Sequence, residues 1–169
     1  VLSKPAVIER IALTAPGLDA EGSVTLRPDG GLEVARFSPV LIGDWLQGSV
    51  QITGRGEGRP VGIALTGGEV DLRRKPENAG SGEGDGADIP LSIALDRVRI
   101  TEGIALTDFR GDFTPRGGFN GSFVALLNGQ AAVTGTVVPT RNGAAVRIRS
   151  ENAGGVLASA GVFASARGG

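Results

Sequence analysis

Apolar and polar residues alternate along most of the chain, which is the pattern of β-strands that bury one face and expose the other. In the first half, this alternation predicts a strand over 6–15 and a second strand that begins near residue 23. Further strands are predicted over 48–54, 61–65 and 70–72. The predicted fold class is therefore all-β.

In the second half the alternation is clearest, and it predicts a set of residues that share one apolar face. Up to Leu95 the apolar positions have odd numbers, and from Val98 they have even numbers. This change of parity predicts a β-bulge near 96–97. Polar residues such as Arg110 and Asp112 lie between the apolar positions, so we expect the opposite face to be wet. The candidate face consists of Ile89, Leu91, Ile93, Leu95, Phe109, Phe113, Phe119, Phe123, Leu127, Val133, Val137, Val146 and Ile148.

A similar turn composition occurs three times, over 26–32, 113–119 and 138–144. Each turn has a Pro, which fixes φ, followed by a Gly, which accepts a positive φ, and each lies between apolar runs. Asn142-Gly143 is also a strong signal for a type I′ turn. These turns predict an elongated, curved antiparallel meander with tight Gly-rich hairpins, whose uneven spacing does not fit a regular solenoid.

Two segments interrupt the strand pattern. Residues 73–88 contain no Val, Leu, Ile or aromatic residue and are rich in Gly and charge, which predicts a flexible loop. Residues 152–160 lose the alternation, and their composition permits a short helix with Val156 and Leu157 turned inward. We therefore expect a β-rich segment over 1–72, a loop over 73–88 and a sheet segment over 89–169, together forming one continuous fold.

Composition favours many turns and excludes several kinds of chemistry. Gly accounts for 29 of 169 residues, and Gly is costly in helices but useful in turns and bulges. The chain has no Cys, which excludes disulfides and thiolate sites, and no His, which excludes a Ser-His-Asp triad within it. Its formal net charge is -1 and its basic residues are scattered, which argues against nucleic-acid binding. We expect neither an enzyme nor a cofactor.

The remaining polar patterns indicate solvated surface. Asp108 and Asp112 alternate with Arg110, and the acidic residues at 83, 85 and 88 lack the spacing of a calcium loop. The Gly-rich stretches at 54–58 and 80–86 lack the strand, helix and Lys of a phosphate-binding loop. Trp45 is predicted to plug the core or an edge, with a ligand contact as the alternative.

The beginning of the chain predicts that it is a segment of a longer protein, since it starts with Val1 and contains no Met. No stretch approaches the roughly 20 apolar residues that span a bilayer, and no signal segment opens the chain. We expect any membrane anchor or export signal to lie outside these residues.

In residues 63–73 an apolar strand is followed by Gly-Gly and then by an x-apolar-Asp-Leu-Arg pattern. Related patterns of Gly and apolar residues fill 89–100, 106–113, 146–150 and 152–169. These segments resemble bacterial AsmA-like proteins of the YhdP and TamB type. The resemblance covers most of residues 61–169, and it carries over no catalytic residue.

The resemblance implies a periplasmic protein, anchored in the inner membrane, whose β-sheet forms an apolar groove that carries phospholipids between the inner and outer membranes. The implied partners are a phospholipid or another acyl-chain ligand and, through other parts of the protein, bacterial membranes. Each buried CH₂ of an acyl chain contributes about 0.8 kcal/mol, so an apolar trough would hold lipid tails while the head group stays wet. A free sheet edge could also pair with a second copy of the chain.

The apolar face has a second interpretation from the sequence. It would be the inner layer of a closed β-sandwich if another sheet covered it, and the protein would then be a structural or interaction module without a ligand. The two interpretations differ in whether the face is open in the folded chain.

Overall fold

The computed structural model describes residues 4–76, 88–116, 118–140 and 143–151. These residues form a single sheet of ten strands that follow one another in chain order, and they contain no helix. The strands are β1 Ala6–Ala15, β2 Leu18–Leu26, β3 Leu32–Ile42, β4 Leu46–Thr53, β5 Gly62–Asp71, β6 Leu91–Arg99, β7 Ala105–Thr114, β8 Asn120–Leu127, β9 Ala131–Thr140 and β10 Gly143–Arg149. The predicted all-β meander is confirmed, and the predicted helix over 152–160 lies outside the described residues.

The three predicted hairpins connect neighbouring strands of this sheet. Between β2 and β3, the Gly30 N–H donates to the Arg27 carbonyl at 2.9 Å, and Gly30 has φ 84°. Between β7 and β8, the Gly118 N–H donates to the Pro115 carbonyl at 3.0 Å. The third hairpin joins β9 to β10, where Thr140 pairs with Gly143. In the first two turns Pro and Gly therefore lie in the turn, as predicted. In the third, Pro139 lies in β9, and the predicted type I′ turn at 142–143 rests on residues 141–142, outside the described part.

One connection departs from the predicted antiparallel meander, because β5 and β6 pair in parallel. Parallel neighbours need a crossover of a dozen or more residues, which residues 72–90 supply. Both ends of this connection bond to the opposite strand: the Leu72 N–H donates to the Arg99 carbonyl, and the Ile63 N–H donates to the Pro90 carbonyl, each at 2.9 Å. The predicted loop over 73–88 is thus tied to the sheet at both ends, while residues 77–87 lie outside the described part.

Strand β5 also corrects the sequence prediction of two separate strands over 61–65 and 70–72. A single strand runs through Gly67 and Gly68, which have φ of 65° and 76°. The pairing of β5 with β4 shifts register at this point. The two glycines therefore form an irregularity within one strand, and this irregularity is the reason why the alternation of apolar residues breaks at that point.

The described strands form one layer. Extensive contacts between strands all join neighbours in the sheet, and β1 and β10 are its two edges. A second sheet that would close a sandwich is not present in the described residues. A cluster of buried side chains lies on β5 to β9, with Val133 at 2% exposure and Leu106 at 3%. Trp45, in the turn between β3 and β4, packs against this cluster, as predicted for a core plug.

Candidate functional site

Strand register places apolar side chains from all ten strands on one side of the sheet. In the second half, Leu91 pairs with Phe113, Phe123 with Gly135 and Val137 with Val146, so these residues point to the same side. In the first half, Ile52 pairs with Ile63, and the same row continues into the second half through Leu91. We call this side the apolar face.

The apolar face comprises, from β1 to β10, Ile8, Ile11, Leu13, Leu18, Ala20, Val24, Leu26, Ala35, Phe37, Val40, Ile42, Leu46, Val50, Ile52, Ile63, Leu65, Val70, Leu91, Ile93, Leu95, Val98, Leu106, Phe109, Phe113, Phe123, Ala125, Leu127, Ala131, Val133, Val137, Val146 and Ile148.

Most residues of the candidate face predicted from sequence belong to this surface. Two of them lie outside the strands: Ile89 is half-buried just before β6, and Phe119 is 40% exposed in the turn before β8. Phe119 still stacks on Phe113, with ring centroids 4.9 Å apart. The structure therefore brings the predicted strand residues together on one side of β6 to β10, with Phe119 beside them in the turn before β8.

Sequence reasoning missed the contribution of the first five strands to this face. Leu46, Val50 and Ile52 alternate with polar residues on β4, and this signal was available in the sequence. On β1, β3 and β5 the apolar positions change parity in mid-strand, as between Phe37 and Val40, so simple alternation does not reveal them.

Burial on the apolar face varies across the sheet. Phe113, Phe123 and Val133 are buried on β7, β8 and β9, whereas several residues of the edge strands β1 and β10 are open to solvent. On β1, Ile8 is 46% and Leu13 is 43% exposed; on β10, Val146 is 57% and Ile148 is 46% exposed. Large exposed apolar groups in contiguous rows are typical of surfaces that contact a lipid, a ligand or another protein.

Aromatic rings form a row on the apolar face of β7 and β8. Phe109 stacks on Phe123 with ring centroids 4.9 Å apart, and Phe113 lies 6.3 Å from Phe109 with nearly parallel rings. Cross-strand pairing of β7 with β8 places these rings on adjacent strands. The row gives the apolar face of β7 and β8 a continuous aromatic surface.

The opposite side of the sheet, the polar face, is rich in hydroxyl, amide and charged groups. Its side chains bond across strands: Arg36 Nε donates to Gln51 Oε1 at 3.1 Å, and the Ser38 and Ser49 hydroxyls lie 2.8 Å apart. It includes Asp19, Glu21, Arg36, Gln51, Ser92, Arg110, Asp112, Ser122, Thr134, Thr136, Arg147 and Arg149. The sheet thus carries its charged and amide side chains on one side, although that side also exposes Val7, Leu41, Val124 and Val138.

A cluster of ion pairs lies where β5 ends and the crossover begins. Arg73 forms a two-point contact with Asp71, from Nε to Oδ1 at 2.8 Å and from Nη2 to Oδ2 at 2.6 Å, and its Nη1 meets Glu102 Oε1 at 2.5 Å. Arg99 pairs with Glu69 beside it. The Arg73 hydrogen bonds hold the pKa of Asp71 down, from 3.8 to about 2, and the same contact raises the pKa of Arg73.

These charged groups satisfy one another, and they make no metal cluster. Among the described residues, no group of three or more His, Cys, Asp or Glu side chains is placed to hold a metal ion. Asp108 and Asp112, the carboxylate pair considered from sequence, do not form such a group. In the same part of the chain, no helix has the length and apolar character needed to cross a membrane.

Comparison with known proteins identifies no relative: no family model, no curated protein and no solved structure matches the chain.

Proposed function

We propose that the apolar face binds the acyl chains of phospholipids and that the chain is a segment of an AsmA-like lipid conduit. The observation that supports this most directly is the extent of the face, which crosses all ten strands with no second layer over it in the described residues. At about 0.8 kcal/mol for each buried CH₂, a lipid tail needs a long apolar surface and no specific polar partner.

The two sides of the sheet suit this role. Lipid tails would lie on the apolar face, and the hydrated polar face would keep the sheet in water. Exposed Ile8, Leu13, Val146 and Ile148 extend the binding surface to both edges. The proposal includes the setting of the AsmA-like proteins, in which the sheet lies in the periplasm, the full protein is anchored in the inner membrane, and phospholipid moves toward the outer membrane.

The test compares exposed apolar residues on the two sides of the sheet. One variant combines Ile8→Asp with Ile148→Asp on the apolar face, where both side chains are 46% exposed. The matched control combines Val7→Asp with Val138→Asp on the polar face, where the side chains are 59% and 51% exposed. All four positions are open to solvent, so we expect both variants to fold.

Each protein is purified from a Gram-negative host, and its bound lipid is extracted and quantified by mass spectrometry. We expect phospholipid to co-purify with the unaltered chain and with the control, and about tenfold less of it with the apolar-face variant. The reason is that each charge replaces apolar contact with the acyl chain, and this contact contributes a factor of about 10 to 100 to lipid affinity. A folded, lipid-free unaltered chain, or equal losses in both variants, would contradict the proposal and favour a structural or interaction module.

A further inference from the structure

The polar face contains a hollow of about 660 Å³ that spans β6 to β10. Strand register builds it from two adjacent rows of side chains. One row contains Ser92, Asp112, Ser122, Thr136 and Arg147, which pair in sequence across the five strands. The next row contains Arg110, Val124, Thr134 and Arg149. Arginines and hydroxyl groups therefore line one concave surface.

The three arginines of the hollow have no carboxylate partner among the described residues. Salt bridges are formed by Arg27, Arg73, Arg74, Arg99 and Arg116, whereas Arg110, Arg147 and Arg149 form none with a described residue. Asp112 is the one acidic group among the described residues lining the hollow. The lining therefore has a formal excess of two positive charges, from three arginines and one aspartate.

We propose that this hollow binds a phosphate group. A guanidinium offers a planar fork of N–H donors that matches two phosphate oxygens, and the Ser122, Thr134 and Thr136 hydroxyls add further donors. The volume lies within the usual range of small-ligand sites. The phosphate belongs either to a lipid head group or to a soluble phosphate ester. The arginines and hydroxyl groups that would bind it lie on the side of the sheet opposite to the apolar face, although Ile93 and Phe123 also contribute to the lining.

The experiment uses two probes, one for each source of phosphate. Vesicles of phosphatidylglycerol, with phosphatidylcholine vesicles for comparison, are tested by co-sedimentation, and inorganic pyrophosphate is tested by calorimetry. We expect the unaltered chain to bind at least one anionic probe, and the probe that binds identifies the source. Failure to bind either probe at low ionic strength would overturn the proposal.

Arginine variants test whether the hollow is responsible. Arg147→Ser with Arg149→Ser should weaken binding about tenfold or more, because each change removes a charge-assisted hydrogen-bond donor. The control, Arg10→Ser with Arg55→Ser, changes two exposed arginines outside the hollow that also lack a salt bridge with described residues. An equal loss of affinity in the two double variants would mean that the probe is attracted to positive charge in general, and it would overturn the proposal of a site in the hollow.

Asp112→Asn gives a change in the opposite direction, which a damaged fold would not produce. It removes the acidic group from the hollow, so binding of the anionic probe should become several-fold tighter. Asp19→Asn on the polar face of β2 makes the same change in net charge away from the hollow. Binding that is unchanged by Asp112→Asn, or raised equally by Asp19→Asn, would overturn the proposal. The Ile8→Asp change on the apolar face should leave this binding unaltered, which separates it from the lipid-tail proposal.

Discussion

At the scale of single residues, the apolar face depends on phenylalanines that lie over glycines. Phe37 pairs with Gly22, Phe113 with Gly121 and Phe123 with Gly135, each directly across two neighbouring strands. A Cβ built on any of these glycines would overlap the opposite ring. Because glycine has no side chain, the phenylalanine ring can pack flat against the backbone of the neighbouring strand. The ring then covers that backbone instead of projecting from the sheet.

Gly135→Ala should therefore destabilise the fold. The new methyl group would overlap the Phe123 ring, which stacks on Phe109 and has little room to move. We expect a loss of about 1–3 kcal/mol in the free energy of unfolding, the usual cost of overpacking. Urea unfolding followed by far-UV circular dichroism measures it.

Gly103→Ala is the control for this change. Its new Cβ would meet nothing within 4 Å, and the residue lies in an exposed turn, so the effect should stay within about 0.5 kcal/mol. Equal effects of the two substitutions would contradict the close packing of Phe123 on Gly135.

Residue chemistry alone predicted part of this arrangement. The alternation around Phe109, Phe113 and Phe123 showed that their side chains share a side, because side chains in a strand alternate with period two. The glycine partners could not be predicted, since they depend on the register between strands. Register is set by turns and by irregularities whose exact positions the sequence does not reveal.

At the scale of strands, a line of irregularities crosses the sheet. Register shifts occur between Ile8 and Ile11 on β1, between Phe37 and Val40 on β3, and between Thr107 and Arg110 on β7, with others on the strands between them. Strand pairing places these positions side by side, near the middle of each strand. The strands β1, β3, β5, β6 and β7 change the parity of their apolar positions there, and the apolar face continues unbroken.

This line explains where the sequence prediction succeeded and where it was wrong. The β-bulge predicted near 96–97 does not appear as a register shift in the pairing of β6 with β5 or β7. The apolar positions of β6 do change parity between Leu95 and Val98, but β5 and β7 change in step, so the register stays constant. On β5 the same change of parity has the sequence pattern of a strand end, and the prediction of two strands there is wrong. An apolar pair three residues apart inside a strand is ambiguous, since it fits a bulge, a turn or a helix.

Gly68 fixes this line at β5, and Gly68→Ala should be strongly destabilising. The residue has φ 76°, its N–H donates to Asp96 Oδ2 at 2.8 Å, and a Cβ would overlap the Gln47 carbonyl oxygen. Gly67→Ala is the matched control, because Gly67 has φ 65° but open space around it.

We expect Gly67→Ala to cost about 1–2 kcal/mol, the penalty for a left-handed backbone at a residue with a Cβ. Gly68→Ala should cost about 1–3 kcal/mol more, because the clash with β4 adds to that penalty. Thermal unfolding of the two variants side by side measures the difference. Losses of the same size would show that the approach of β4 to Gly68 is not tight.

At the scale of the whole molecule, one layer separates two environments. In the part of the chain that the structure describes, no second layer covers the apolar side of the sheet, and that side is exposed at both edges, at Leu13 and Val146. The hydrated side carries the charges. The two proposed ligand groups, acyl chains and phosphate, would therefore bind on opposite sides of the same strands.

The parallel pair β5–β6 joins the two halves of this layer, and the ion pairs of Asp71 and Arg73 lie at its end. Asp71 is 8% exposed, and its carboxylate also accepts the Arg73 backbone N–H at 3.1 Å. Glu102, in the turn after β6, binds the same guanidinium. The crossover therefore leaves β5 from a point that is fixed to both strands of the parallel pair.

Stability at acid pH should report on this contact. The pKa of Asp71 is lowered in the folded chain from 3.8 to about 2, so the folded state holds the ionised carboxylate more strongly than the unfolded state does. The resulting stabilisation is fully present above pH 3.8 and is lost as the pH falls through about 2. Asp71→Asn removes this stabilisation, so the melting temperature of the unaltered chain should exceed that of the variant above pH 4, and the difference should close between pH 4 and pH 2.

Asp44→Asn, which changes an exposed carboxylate at the same end of the sheet, controls for the change in net charge. A gap that stays constant from pH 7 to pH 2 would show that the Asp71–Arg73 contact does not stabilise the end of the parallel pair through its charge.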